Sequence, residues 1–361
     1  MTTDILVVGA GISGLVCALL LTDAGHSVRV LESRSVPGGR IRSLLDLEGG
    51  QYLGDLGPTW VWPKYQERVQ HWSARLGLEL YSQFNSGDGV YDSGPSQAVQ
   101  HLSLPGQIGI RKILGGPQAI IQALVRKLPK GTLICRSRVK SIVVHSNFLE
   151  LSGEEQSWRS QQVIIATPPR VARQTIRWEP PLSRSLSQAL SSTPTWMASQ
   201  AKAVVTYDKP FWRELGLSGR IASRSGPIVE GHDHCGPDGT PAAIFGFLGW
   251  PHKLRAELGQ DLQTHIFEQM KRCFGQDSPN PLAIHVEDWA TDPLVATPKD
   301  LIEEPSHPIT GPSVLREGQA EGRIWFAGSE TSNRSPGLIE GAFDSAERTV
   351  KNILACFAHK S

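Results

Sequence analysis

Residues 3–43 read TDILVVGAGISGLVCALLLTDAGHSVRVLESRSVPGGRIRS, and this stretch decides the fold. Ile5, Leu6, Val7 and Val8 form an unbroken, partly β-branched apolar run, as a parallel strand buried on both faces requires. Gly9, Gly11 and Gly14 follow at the spacing G-x-G-x-x-G. The first permits the turn out of the strand, the second lets a pyrophosphate approach the backbone, and the third lets the next helix pack closely on the sheet. That helix is predicted from Leu15 to Ala24, with Gly25 as its terminator. Its N-terminal N–H groups, those of Ile12 and Ser13 among them, would face the pyrophosphate at the positive dipole end. A second strand, Val28 to Leu31, ends at Glu32, whose carboxylate is placed for ribose hydroxyls. Together these residues predict a βαβ unit that binds a dinucleotide.

The whole chain bounds the rest. Its 361 residues suggest about two domains. Lys and Arg balance Asp and Glu to a net charge of +1, with no dense basic run, which excludes a nucleic-acid binder. No apolar run approaches the roughly 18 residues of a membrane span, so no membrane association is expected. The five cysteines, Cys17, Cys135, Cys235, Cys273 and Cys356, are scattered and read as thiols of a reducing cytoplasm. His232-Asp233-His234-Cys235 lacks a second ligand cluster nearby, so it reads as a polar loop and no metal is expected.

Beyond Ser33, the segment Gly38-Gly39-Arg40 offers a bare backbone and a cation where a phosphate or ribityl chain could approach. With it, the sequence resembles the flavin-containing amine oxidases, and the likeness extends along nearly the whole chain. Asp55-Leu56-Gly57-Pro58-Thr59-Trp60 is similar to the family segment beside the isoalloxazine ring. Gly115-Gly116 and Ser137-Arg138-Val139 resemble its return to the FAD domain, which implies that backbone groups of Val139 face the adenine. Val163 to Pro169 resembles a buried strand ending in A-x-P-P. Lys202 to Trp212, ending in Pro210-Phe211-Trp212, resembles the segment that carries the flavin-N5 lysine. Asp288-Trp289-Ala290-Thr291-Asp292-Pro293 resembles the stretch whose tryptophan packs by the flavin. Gly322 to Arg348 resembles the C-terminal FAD motif, and implies cofactor contacts from Gly328, Ser329, Glu330, Gly337, Leu338 and Ile339.

The resemblance implies an α/β fold: an FAD-binding Rossmann-like domain of the glutathione-reductase-2 type with an inserted mixed α+β substrate domain. The first would comprise residues 1–62, 111–170 and 296–361, and the second 63–110 and 171–295. In the second, a glycine-rich loop is expected at Gly87 to Gly94, and one amphipathic helix from Lys253 to Phe274. Lys202 and Trp289 would be the catalytic residues, with Lys202 holding a water at the flavin and favouring its reaction with dioxygen.

Two departures bear on the substrate. The positions that carry the family's paired aromatic rings are Lys299 and Leu338 here, leaving Trp60 and Trp289 near the expected pocket. Lys299 either lines that pocket, where it would repel a cationic amine, or turns to solvent on a shifted loop. Pro298 stands where a flavin-linking cysteine would be, so the FAD is expected to be non-covalent. Thr59-Trp60 replaces the arginine that would hold an amino-acid carboxylate. The expected activity is oxidation of a small molecule, an amine by preference, with dioxygen as acceptor and hydrogen peroxide as product, and not monooxygenation. The alternatives are a desaturase or dehydrogenase of a hydrophobic non-amine, a nicotinamide enzyme, and a flavin-binding protein without catalysis.

Overall fold

Strand β1 (Thr2–Val8) leads into helix α1 (Ile12–Asp23) and returns through β2 (Val28–Leu31), and the rest is built around this unit. The computed structural model describes residues 2–46, 50–104 and 109–358. β1 and β2 pair in parallel, with Val7 opposite Val30. On its other edge β1 pairs in parallel with Ser157–Ile165, which in turn pairs in parallel with Ile324–Phe326. Leu133–Ile134 extends the sheet beyond β2, and Leu149–Ser152, Ser141–Val144 and Arg177–Glu179 extend the far side. Arg177–Glu179 therefore joins this sheet from beyond the boundary expected at residue 170.

Helix α1 starts three residues earlier than its apolar pattern suggested, because Gly11 is already extended and serves as its N-cap. At the other end Gly25 takes φ +88°. The N–H of Gly25 then donates to the Thr22 carbonyl and that of His26 to the Leu21 carbonyl, the paired bonds of a Schellman terminus. A Cβ on Gly14 would lie 2.0 Å from the Gly9 carbonyl oxygen, so only glycine allows the helix this close to the turn. The last helix, Ile339–Ala358, crosses α1, where the Ser13 hydroxyl donates to the Ala342 carbonyl at 3.0 Å. Arg68 holds it from the far side through Glu340, Asp344 and Glu347. Its N-terminus is thereby fixed beside that of α1.

A second sheet runs in the order Ala283–Asp288, Ala201–Tyr207, Ala242–Leu248, Ile228–Asp233, Leu217–Ser223, Asp88–Asp92, Gln100–Leu102. Ala201–Tyr207 is buried throughout and antiparallel to both neighbours, with Lys202 opposite Phe247 on one side and Glu287 on the other. The expected loop at Gly87 to Gly94 is instead the strand Asp88–Asp92, bracketed by those two glycines at φ +94° and +124°. The single helix expected from Lys253 to Phe274 is two, His252–Leu258 and Asp261–Phe274. Gly259, at φ +53°, breaks it. Leu262, Ile266 and Met270 are buried as the pattern required, whereas Leu254 is exposed.

Candidate functional site

A cavity of about 420 Å³ opens at the carboxyl ends of β1 and β2 and extends to Lys202 and Phe247 of the second sheet. At one end it is lined by Gly9, Gly11, Ile12 and Ser13, by Glu32 and Ser33, by Gly38, Gly39 and Arg40, and by Val139. No side chain caps the N-terminus of α1, which leaves its first N–H groups to the cavity. Glu32 is held rigidly: one oxygen accepts from the Ala10 N–H at 2.8 Å, the other from the Arg34 N–H at 2.8 Å and the Ser33 hydroxyl at 3.3 Å. These bonds keep the carboxylate at the strand end, where a ribose would meet it.

The C-terminal segment closes the same space. Gly328, Ser329, Glu330, Gly337, Leu338 and Ile339 all line it. Arg40 donates to both carboxylate oxygens of Glu330, at 2.9 and 2.7 Å, to the Ser329 hydroxyl at 3.0 Å and to the Trp196 carbonyl at 3.2 Å. Burial pushes the Glu330 carboxyl up, but the charge and hydrogen bonds of Arg40 outweigh this and hold it below the ordinary glutamate value. Arg40 and Glu330 thus neutralise each other.

Lys202 lies at the other end, with a relative exposure of 3%. Its Nζ donates to the Gly57 carbonyl at 2.9 Å and to the Thr59 hydroxyl, and sits 4.2 Å from the centre of the Phe245 ring. Burial pushes its pKa down to about 7, against the charge of Asp55, while the charge of Lys112 adds to the depression. An amine near neutrality can hold or release a proton at ordinary pH. Trp289 is buried, donates from Nε1 to the Leu56 carbonyl at 3.3 Å and carries the Arg42 guanidinium 4.8 Å from its ring centre. Gly57, Pro58, Thr59 and Trp60 complete this wall.

Three expectations change. Gly14 lies outside the lining, because it faces Gly9 and serves helix packing. Lys299 is also outside it: on the helix Pro298–Ile302 it is half exposed, donates to the Ser191 carbonyl at 3.1 Å and pairs with Glu303 at 3.6 Å. Its loop is shifted, and Lys299 does not stand in the cavity to repel a cation. His232 to Cys235 is not a polar loop but the buried end of the strand Ile228–Asp233 and the residues after it. No group of three or more metal-ligating side chains occurs among the described residues.

Aromatic rings missing from the expected positions come from elsewhere. Trp62, Trp196, Phe247 and His307 line the cavity along with Trp60 and Trp289, as does Leu338. Phe245 and Phe247 alternate along one strand, and Trp60 packs edge-on against both, at 5.2 and 6.2 Å. That alternation was readable; the approach of Trp196 and His307 depends on long-range folding.

Residues 96–354 match the family model described as flavin-containing amine oxidoreductase, and residues 7–76 match that of a NAD(P)-binding Rossmann-like domain. The chain belongs to the flavin-containing amine oxidoreductase family. Among its relatives is amine oxidase [flavin-containing] B of Sus scrofa, 26% identical, the alignment covering 97% of this chain and 86% of the relative. The same enzyme from Mus musculus is 26% identical over 98% and 86% of the two chains. In fold, the structure is similar to cyclohexylamine oxidase from Brevibacterium oxydans IH-35A, with a TM-score of 0.82, 19% identity and 99% of each chain covered. It is similar also to a putrescine oxidase bound to putrescine, with a TM-score of 0.79, 19% identity and 98% and 99% covered. No helix among the described residues is long and apolar enough to cross a membrane.

Proposed function

We propose that this amine oxidase-family protein binds FAD non-covalently in the cavity between its two sheets and oxidises an amine with an apolar body, using dioxygen as acceptor. The observation that carries the reading is Lys202: a buried lysine, near neutrality, on the wall of a cavity lined elsewhere by the dinucleotide turn. The residues fit the cofactor. Gly11 and Gly39 keep backbone bare toward the cavity, Glu32 is aimed for a ribose, and the buried Thr167 hydroxyl on the wall has no hydrogen-bond partner among the described residues. No cysteine lines the cavity among the described residues, which supports non-covalent binding.

The chemistry that FAD supplies when bound is acceptance of a hydride equivalent from the C–H next to the amine nitrogen, with delivery of two electrons and two protons to dioxygen as hydrogen peroxide. The chain's own residues orient and desolvate. Trp60, Phe247 and Trp289 offer flat apolar faces and exclude water around the reacting C–H. Lys202 holds a proton at Nζ, where its positive charge would favour electron transfer to dioxygen. We further read residues 1–62, 111–170 and 296–361 as the FAD-binding unit and 63–110 and 171–295 as the substrate unit, apart from the strand Arg177–Glu179. The five cysteines, none in a disulfide, suit the cytoplasm.

Of the carboxylates on the wall, Glu330 is neutralised by Arg40 and Glu32 stands at the dinucleotide turn, so a second ammonium beside Lys202 and the aromatic rings would find no counter-charge. An apolar monoamine should therefore release peroxide faster than putrescine does. Acid precipitation should free all of the flavin from the protein. Flavin retained in the pellet would refute non-covalent binding. Silence with every amine would turn the reading toward a desaturase of a hydrophobic compound.

A further inference from the structure

Behind the cavity wall, Asp55 ends the strand Tyr52–Asp55 with a relative exposure of 1%. Its Oδ1 has no hydrogen-bond partner among the described residues. The carboxylate fits only because position 116 is glycine: a Cβ there would lie 2.3 Å from Oδ1 and 2.5 Å from the Tyr52 ring. Thr59 and Tyr52 flank it, and Thr59 also takes a hydrogen bond from Lys202. On the other side stands a second buried lysine, Lys112, which donates to the Cys235 carbonyl at 2.8 Å and lies 5.1 Å from the Tyr81 ring centre.

The other ionisable groups around these three are already accounted for. The Asp55 backbone N–H donates to His234 Nε2 at 2.8 Å, so that nitrogen carries a lone pair. Burial, with the charges of Lys112 and Lys202, keeps the His234 ring neutral. His232 is bonded to Glu230 at 2.8 Å, and its pKa is lowered chiefly by burial. Asp233 is held by Arg213 at 2.9 and 3.0 Å and by Trp212 at 3.0 Å. Tyr52, Tyr81 and Cys235 are all pushed toward their neutral forms by burial. What remains is one buried carboxylate that feels the charge of two buried lysines.

We propose that Asp55 is a positioning residue for Lys202: it is the counter-charge, shared with Lys112, that sets whether Lys202 holds its proton at the cavity wall. An opposite charge nearby favours the ammonium, and a buried ammonium left without one gives up its proton. Lys112 competes for the same carboxylate and repels the Lys202 proton. The two neighbours therefore push Lys202 in opposite directions, which damage to packing would not do. This inference rests on the proposed role of Lys202 in the oxidase reaction, but its test does not.

The holoenzyme is grown with lysine carrying 13C at Cε, and the Lys202 signal is assigned as the one absent from Lys202→Met. Its chemical shift is followed against pH. The wild-type midpoint is expected near 7. In Asp55→Asn it should fall by about one pH unit or more, and in Lys112→Met it should rise. Midpoints unmoved in both variants, or moved the same way in both, would overturn the proposal. If Asp55→Asn does not fold, Asp55→Ser takes its place, and a Lys202 midpoint unmoved there overturns the proposal. Unchanged reoxidation in Lys202→Met would instead refute the function of Lys202 and leave this titration standing.

Discussion

Replacing Lys202 with methionine keeps most of an apolar stem and deletes the ammonium. With a pKa of about 7, the wild-type lysine is charged in about nine-tenths of molecules at pH 6 and about one-tenth at pH 8. A pre-aimed, desolvated charge is worth about 2.7–4 kcal/mol to a transition state that develops opposite charge, roughly 10²–10³ in rate. Reoxidation by dioxygen should therefore be on the order of 10²-fold slower in the variant at pH 6, narrowing to about tenfold at pH 8 as the wild type loses its own charge. The wild-type rate should fall as pH rises through 7, and the variant should be flat. Stopped-flow mixing of anaerobically reduced enzyme with dioxygen, read by the return of oxidised-flavin absorbance, measures both. A variant within threefold of wild type at pH 6, or one that keeps the wild-type slope, refutes the reasoning.

Two further outcomes follow from buried charge. Arg40→Met strands Glu330, whose relative exposure is 2%, and should cost on the order of 2–3 kcal/mol, less than a fully buried pair because the Arg40 side chain is 25% exposed. A denaturation midpoint equal to wild type would contradict the pairing. Stability at saturating FAD should rise between about pH 7 and 8: Lys202 and Lys112 titrate at about 7 and about 8 when folded and near 10.4 when unfolded, so the unfolded chain binds more protons, until the buried Cys17, Cys235 and Cys273, each raised to about 12, reverse the balance above about pH 9. Asp55 acts oppositely and lower down. Its carboxyl, raised by burial to about 6, contributes stability that is lost as pH climbs from about 4 to 6. A urea midpoint flat from pH 7 to 8 would show that the two lysines are solvated.

The dinucleotide unit was legible because its requirements are local. Gly9, Gly11 and Gly14 lie within one turn and Glu32 within one βαβ unit, so spacing alone carries the geometry. The C-terminal segment was legible for the same reason, and Gly328 to Ile339 reach the cavity. Substrate-side residues were harder, because counting along a chain cannot register a shifted loop. Lys299 was counted to the pocket, but a capping box at Thr297 and Asp300 starts a short helix that carries it outward. The aromatic wall is assembled from Trp62, Trp196 and Phe247, far apart in sequence. The cluster of Asp55, Lys112 and His234 was hidden for another reason: a buried lysine reads in sequence like any exposed one.

The residues that follow Glu32 also reach the second sheet. Arg34 pairs with Asp292, and Arg42 pairs with Glu287, lies 3.4 Å from Asp292 and covers the Trp289 ring. These arginines are partly open to solvent, whereas Lys202 and its neighbours are sealed from it. Mobile ions screen the first set and hardly touch the second. Ionic strength is therefore a handle on the seating of Trp289, separable from the proton chemistry at Lys202.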